Sequence, residues 1–425
     1  MTNIIKQISS AAGVANYYLF ILVLITLPLP WRITQMAWMA WMLFWFLEFR
    51  FIPSVSNDLE HPGNYRLLNS QKQLSPLTFP LLVMLFLAWE FISMLWAPDT
   101  HHAWRTIERH LSFFILPLVA LFGVNQRYQT ATLMRTFLCA SVVSFFLYIF
   151  TRFYASNHYV LYVDPTAPFK GLSLNAGNDY LHVIKHRLFY CTTMTAALCT
   201  IPWLWKHGRL PKVQRAAMLA LSAAIILLSM YFTFSRASII TLAVLVPVAV
   251  FLATKGRQRI ITVAVSITVV AALLVVAYVF HPRLKDSTHD VRKDIWATAI
   301  HHLDEIPFYG LGAGQQQDFM LQKYEEDNFA IGEIRQYYPH NQYISCYIEL
   351  GVIGVALLLL CLVSLPLCFT GDTRRFAILL TLLYALNMFT DDLLERIDPL
   401  LTLYALSILL FALQQHTNRQ TTITA

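Results

Sequence analysis

The chain predicts an all-α, polytopic membrane protein with about twelve transmembrane helices and one large loop on its outer side. Three observations carry this. Apolar residues make up 57% of the 425 and charged residues only 13%, outside the range of soluble globular domains. About twelve runs approach the roughly 20 apolar residues that a hydrocarbon core about 30 Å thick demands. Between the ninth and tenth runs lies a polar stretch long enough for soluble structure. The chain divides accordingly into 1–280 with nine spans, a loop over 281–342 with amphipathic helices, and 343–425 with three spans and a cytoplasmic tail.

In order, the runs are 15–33, 34–53, 76–97, 111–124, 132–151, 186–205, 216–233, 238–253, 260–280, 343–369, 376–390 and 399–414. The first lacks a small-residue cleavage site and reads as a retained span. Lys206, Arg209, Lys212 and Arg215 fall on one side with Lys255, Arg257 and Arg259, Arg127, and the pair Arg374 and Arg375. Basic short loops mark the cytoplasmic side, which puts both termini there. Segments 98–110, 152–185, 234–238, 281–342 and 391–398 then share the outer face. Topology already explains much of the +7 charge, so no nucleic-acid partner is expected. The six cysteines fall within apolar runs without a Cys-x-x-Cys pair and read as small buried residues.

The outer face collects unusual residues. Arg187 opens the sixth span, Arg236 sits in the tight connection Phe234-Ser235-Arg236-Ala237-Ser238, and Arg292 lies early in the large loop. Guanidinium groups either snorkel to lipid headgroups or, gathered at one plane, grip phosphate oxygens bidentately. The stretch 290–303 is an amphipathic helix capped by Asp290, with apolar positions 291, 295, 299, 300 and 303 and with Arg292 and Trp296 one turn apart. Pro307 to Gly314 is a breaker whose glycines permit close backbone approach; no strand precedes it, against a nucleotide loop. His340-Asn341 enters the tenth span, followed by Gly351 and Gly354 as helix-packing residues. The imidazole is either a structural hydrogen-bond partner or a base for a sugar hydroxyl. Glu349, nine positions on, falls on the opposite face of a continuous helix, against a direct dyad with His340. Glu90, Arg135, Asp391, Asp392, Glu395 and Arg396 are further ionisable groups at membrane depth or boundary, Glu90 reading as the partner of an arginine on a neighbouring helix. No Asp-x-Asp metal signature stands out on this face.

In Thr233-Phe234-Ser235-Arg236-Ala237-Ser238, Arg292 with Trp296, Pro307 to Gly314, and His340-Asn341 with Gly351 and Gly354, the chain resembles the O-antigen ligase and polymerase superfamily of bacterial membrane glycosyltransferases. The resemblance implies a GT-C-like helical fold in the inner membrane and an inverting, metal-independent transfer with no cofactor. The implied donor is a glycan on undecaprenyl diphosphate at the periplasmic face; the acceptor is a lipid A-core hydroxyl in ligases or another lipid-linked unit in polymerases. Carried over by position, Arg236 and Arg292 contact the diphosphate and His340 acts near the acceptor hydroxyl. Trp296 and Asn341 join the substrate-binding set, and Arg187 matches less specifically. The ligase reading leads, favoured by one dominant outer loop with the His-Asn-x9-Gly-x2-Gly pattern, and no Arg-x10-Gly element is found. Polymerase and protein O-glycosyltransferase differ from it only in acceptor. A transporter or flippase would show repeats and polar groups near the midplane, and neither is visible.

Overall fold

A computed structural model of the chain describes residues 2–49, 77–125, 127–158, 186–233, 235–280 and 291–424. These residues form helices and turns with no strand among them, as lipid requires when each peptide group must find its partner within the chain. The helices run α1 (Thr2–Thr26), α2 (Trp31–Leu47), α3 (Thr78–Ser93), α4 (Thr100–His110), α5 (Ile115–Phe122), α6 (Thr130–His158), α7 (Arg187–Cys199), α8 (Ile201–His207), α9 (Lys212–Thr233), α10 (Arg236–Ala253) and α11 (Gly256–Phe280). Helices α12 (Arg292–His301), α13 (Gln316–Glu326) and α14 (Ala330–Arg335) build the large loop. Then come α15 (Gln342–Leu367), α16 (Gly371–Met388) and α17 (Ile397–Thr424).

Eight helical stretches among the described residues are long and apolar enough to cross a bilayer, starting at Ile4, Thr130, Arg187, Lys212, Arg236, Gly256, Gln342 and Ile397. The expected twelve are not reached on these terms. The second and third runs form α2 and α3, of 17 and 16 residues; at about 1.5 Å per residue such helices fall short of the full hydrocarbon thickness. The fourth divides into a 3₁₀ turn, Leu111–Phe114, and the eight-residue α5. The eleventh is α16, whose first turns carry Asp372, Arg374 and Arg375.

Helix α17 is the axis of the bundle. It is almost wholly buried, packed by α2, α5, α6, α7 and α16, and Tyr404 stacks on Trp38 with ring centres 5.6 Å apart. At the other extreme α11 has no buried residue in its span and rests on α10. Five cysteines are buried as expected, while Cys139 is exposed on α6.

The amphipathic helix of the loop is α12, and Asp290, its expected cap, lies outside the described residues. Ile295 and Ala299 are buried, whereas Ile300 is exposed and turns away from the face expected for it. Phe319, Met320 and Tyr324 of α13 join Ile295 and, on α15, Ile348 in a second small core, welding the loop to the start of that span.

Within α15 the helix breaks at Gly351, where φ is 64° and ψ −161°, a conformation essentially confined to glycine. The Pro307–Gly314 segment fits into the break. Leu311 N–H donates to Ile348 O and Gly312 N–H to Glu349 O, each at 2.8 Å, while Val352 N–H donates to Phe308 O at 2.9 Å. The Leu350 carbonyl takes the Trp89 indole N–H at 3.0 Å. Thus the peptide groups freed by the break find partners outside the helix. A Cβ on Gly310 would stand 2.3 Å from Glu349 O, and one on Gly351 2.1 Å from Phe308 O, so these glycines serve close backbone approach.

Candidate functional site

Of the segments expected on the outer face, 98–110, the described part of 281–342 and 391–398 meet at one end of the bundle, while most of 152–185 lies outside the described residues. Trp96 donates its indole N–H to Gly310 O at 3.1 Å, Ala313 N–H reaches Ser93 Oγ at 3.0 Å, and the Gln315 amide reaches Asp99 O at 3.0 Å. Arg187, Arg236 and Arg292 are the first residues of α7, α10 and α12. Arg187 lies within electrostatic reach of both Arg292 and Arg236. These three like charges each stand at a helix N-terminus, where backbone N–H groups and the helix dipole favour anions. Ser235 fixes the start of α10 by accepting the Ser238 N–H.

His340 stands in a left-handed conformation, φ 49°, just before α15. Its backbone N–H donates to Asp392 Oδ2 at 3.0 Å and the Asn341 N–H to Asp392 Oδ1 at 3.1 Å, and Ser345 Oγ–H completes the set at 2.5 Å. A carboxylate opposite three donors at a helix N-terminus is well suited to holding such a turn. The imidazole Nδ1 is 3.6 Å from Asp391 Oδ1, close enough for an ion pair when the ring is protonated, and a quarter of the side chain remains exposed. Burial alone would push the Asp391 carboxyl up, but the imidazole, with His186 and the Asp392 amide, holds it below the usual carboxylate range. Burial, together with Asp391, pushes Asp392 up to about 6; it is still mostly ionised at neutral pH. His186 lies within electrostatic reach of Asp391 and Arg187, linking the histidine side of the site to the arginine side.

Two expected substrate-binding residues have structural partners. Asn341 caps α15, its Oδ1 accepting the Tyr343 and Ile344 N–H groups at 3.0 and 3.3 Å. Trp296 donates its indole N–H to Pro339 O at 2.9 Å. Arg396 sits over the Tyr338 ring at 5.2 Å.

Behind the 391–395 turn lies a buried ionic layer. Glu90 is indeed paired, yet with His110 and not with an arginine: His110 Nδ1 is 2.7 Å from Glu90 Oε1. His110 Nε2 donates to Leu394 O at 2.9 Å, the Gln342 side chain accepts Leu394 N–H at 2.7 Å, and Arg109 binds the Glu395 carbonyl at 2.9 Å as well as its carboxylate. Glu349 lies among Glu90, Glu395 and Arg109, away from His340 as expected. The partners Arg109, His110 and His186 carry no local motif, and their spacing from His340 in the chain gives no hint of contact; the 391–396 cluster, at the outer end of the eleventh run, is readable as bordering the same pocket, but its bonds to the His340 backbone are not.

His340, Asp391 and Asp392 present ligand atoms within 4.8 Å of one another, as do His301, His302 and Asp327. In the first group both Asp392 oxygens are engaged by the His340 turn. In the second, His302 uses Nδ1 toward Glu305 and Nε2 toward Asp327. A cation at either place would compete with these bonds.

A search of curated proteins gives no match to the chain. Residues 214–359, roughly a third of it, match the family described as O-antigen ligase; the matched stretch holds Arg236, Arg292, His340 and the Gly351 break, and leaves Arg187, Asp391 and Asp392 outside. Members of that family are membrane glycosyltransferase-like enzymes, and over this stretch the chain is similar to the O-antigen ligase and polymerase superfamily.

Proposed function

We propose that the protein is an O-antigen ligase-type glycosyltransferase of the bacterial inner membrane. It moves a glycan from undecaprenyl diphosphate to a sugar hydroxyl of the lipid A core, with inversion and without a metal ion. The reading is carried by one observation: arginines at three helix N-termini gather at the bundle end where a carboxylate-flanked histidine enters a span. The basic connections around Lys206 to Arg215 and Lys255 to Arg259 lie at the other ends of α9 and of α10 and α11, which supports a periplasmic site and cytoplasmic termini. On this reading 1–280 and 343–425 supply the bundle, and 281–342 supplies the loop carrying Arg292.

The chemistry follows from the charges. The acceptor oxygen attacks the anomeric carbon as the bond from that carbon to the diphosphate oxygen breaks. Negative charge grows on the leaving diphosphate, where Arg236 and Arg292, assisted by Arg187, stabilise it; preorganised donors of this kind typically contribute about 3 kcal/mol each. The acceptor hydroxyl loses its proton to the neutral imidazole of His340, an effect of order 100-fold to 10,000-fold. Asp391 beside Nδ1 offsets the charge then formed on the ring. Trp296 and Asn341 serve substrate binding by fixing the His340 turn through the bonds described above.

Deleting the gene and staining lipopolysaccharide on a gel for polymer tests the reading. Lipid A core without polymer, with chains retained on undecaprenyl diphosphate and restored by wild type but not by His340→Ala, is the expected result. Core bearing one repeat unit would make the enzyme a polymerase. An unchanged profile would move the acceptor to capsule or glycoprotein.

A further inference from the structure

The proposed chemistry uses His340 and the three arginines and leaves unemployed a set of ionisable groups in which Glu90 and His110 are buried and Arg109 partly so. Glu90, Arg109 and His110 sit on α3 and α4, far in sequence from the site, and each is oriented by a specific bond. Both His110 ring nitrogens meet acceptors, Glu90 on one side and Leu394 O on the other. Arg109 reaches the main chain and the carboxylate of Glu395. Leu394 is gripped a second time through its N–H by Gln342, the first residue of α15. The residues so held form a short buried turn, with Leu393 N–H on Asp391 O and Glu395 N–H on Asp392 O at 3.2 Å. From that turn Asp391 and Asp392 project to the ring and the backbone of His340.

We infer that Arg109 and His110, the latter braced by Glu90, are positioning residues for the transfer, setting the 391–395 turn so that its aspartates hold His340 toward the acceptor. The inference rests on the transferase reading for its kinetic consequence, but its geometric content stands apart from that reading. A buried turn without regular secondary structure has few bonds of its own to fix it, and here its outer anchors are charged groups from another part of the bundle. Displacing a reacting group by about 1 Å costs up to about 100-fold in rate, so losing an anchor lowers turnover while the arginine side, which binds the donor diphosphate, is untouched.

The experiment measures transfer by the full-length protein in membranes, using undecaprenyl-diphosphate-linked glycan and lipid A core, together with the rate at which diethyl pyrocarbonate modifies His340, read by mass spectrometry. His110→Gln and Arg109→Ala are expected to lower kcat by about 10-fold to 100-fold with the donor KM within about twofold, and Arg109→Lys to recover part of the loss. Adding His110→Gln to Asp391→Asn should cost little more than Asp391→Asn alone, since the two act on one contact. His340 should become more reactive toward the reagent in both anchor variants. Multiplicative losses in the double variant, a raised donor KM with unchanged kcat, or unaltered His340 labelling would overturn the inference. Absence of transfer by the wild type, with His340 labelling still responding to the anchors, would overturn the transferase reading and leave the positioning role standing.

Discussion

Trp296 donates its indole N–H to the carbonyl of Pro339 at 2.9 Å, which ties the helix beginning at Arg292 to the residue preceding His340. One bond thus links a candidate diphosphate ligand to the candidate base. Trp296→Phe keeps the ring packing and loses the bond, worth about 1 kcal/mol; transfer should fall several-fold with little change in the protein's amount in the membrane. Wild-type kinetics in this variant would show that the link has no catalytic consequence.

Arg236→Ala and Arg292→Ala should each abolish detectable transfer, since the loss of a preorganised donor to a leaving diphosphate is worth about 3 kcal/mol or about 100-fold. Both proteins should remain in the membrane, because each arginine stands at a helix start and not within the apolar core. The check is complementation of the deletion strain with membrane levels measured in parallel, and wild-type transfer by both variants would remove the site assignment.

Asp392 is raised to about 6 by burial and by Asp391. Its value in the folded protein lies above that of the unfolded chain, so protonation favours the fold at this residue, and its contribution to stability is present at low pH and lost as pH rises through about 6. Activity runs the other way, because a protonated carboxyl is a poorer acceptor for the three donors of the His340 turn. Between about pH 6 and pH 5 transfer should decline reversibly without unfolding. Asp392→Asn, left with one acceptor oxygen, should be impaired across the whole range.

His302 is held above the ordinary histidine value because its bonds to Glu305 and Asp327 outweigh its desolvation. A raised histidine stabilises most below its unfolded value of about 6.5 and loses that contribution as pH rises through the folded one. Proteolysis within 291–340 should therefore be slower at pH 6 than at pH 9, and His302→Gln should flatten the difference.

Gly351→Ala should fail differently. Its φ and ψ belong to glycine, a side chain there costs about 1–3 kcal/mol in backbone strain alone, and its Cβ would meet Phe308 O at 2.1 Å. The expected outcome is a lower unfolding temperature and release of the Pro307–Gly314 segment from α15, read as new proteolysis near Gly310.

The helical class, the nearness of Arg187 to Arg236 and Arg292, and the close backbone approach at Gly310 were legible in the sequence; Gly351, expected to pack helices within a continuous span, breaks the span instead. Hydropathy, charge placement and glycine chemistry are local properties, visible one segment at a time. The partner of Glu90 was not, because whether His110 or an arginine faces it depends on how α3 and α4 rotate against each other. Nor was the count of spans: α2, α3 and the broken α5 are apolar yet short, and apolar composition alone does not distinguish a buried half-length helix from a full crossing. Asp392 was visible as a boundary charge, but its bonds to the backbone of His340 and Asn341 leave no trace in side-chain patterning.

The interruption at Gly351 also divides α15 mechanically. The nine residues from Gln342 to Leu350 are joined to the lower part of the span through a pivot whose neighbouring carbonyls are held sideways by the loop and by Trp89. A push or tilt applied to the lower rod by a thinner or thicker bilayer does not meet a continuous ladder of intrahelical hydrogen bonds leading to His340. The reactive end is seated on its surroundings, as a bearing is seated in a housing, and it can keep its station while the rest of the helix leans.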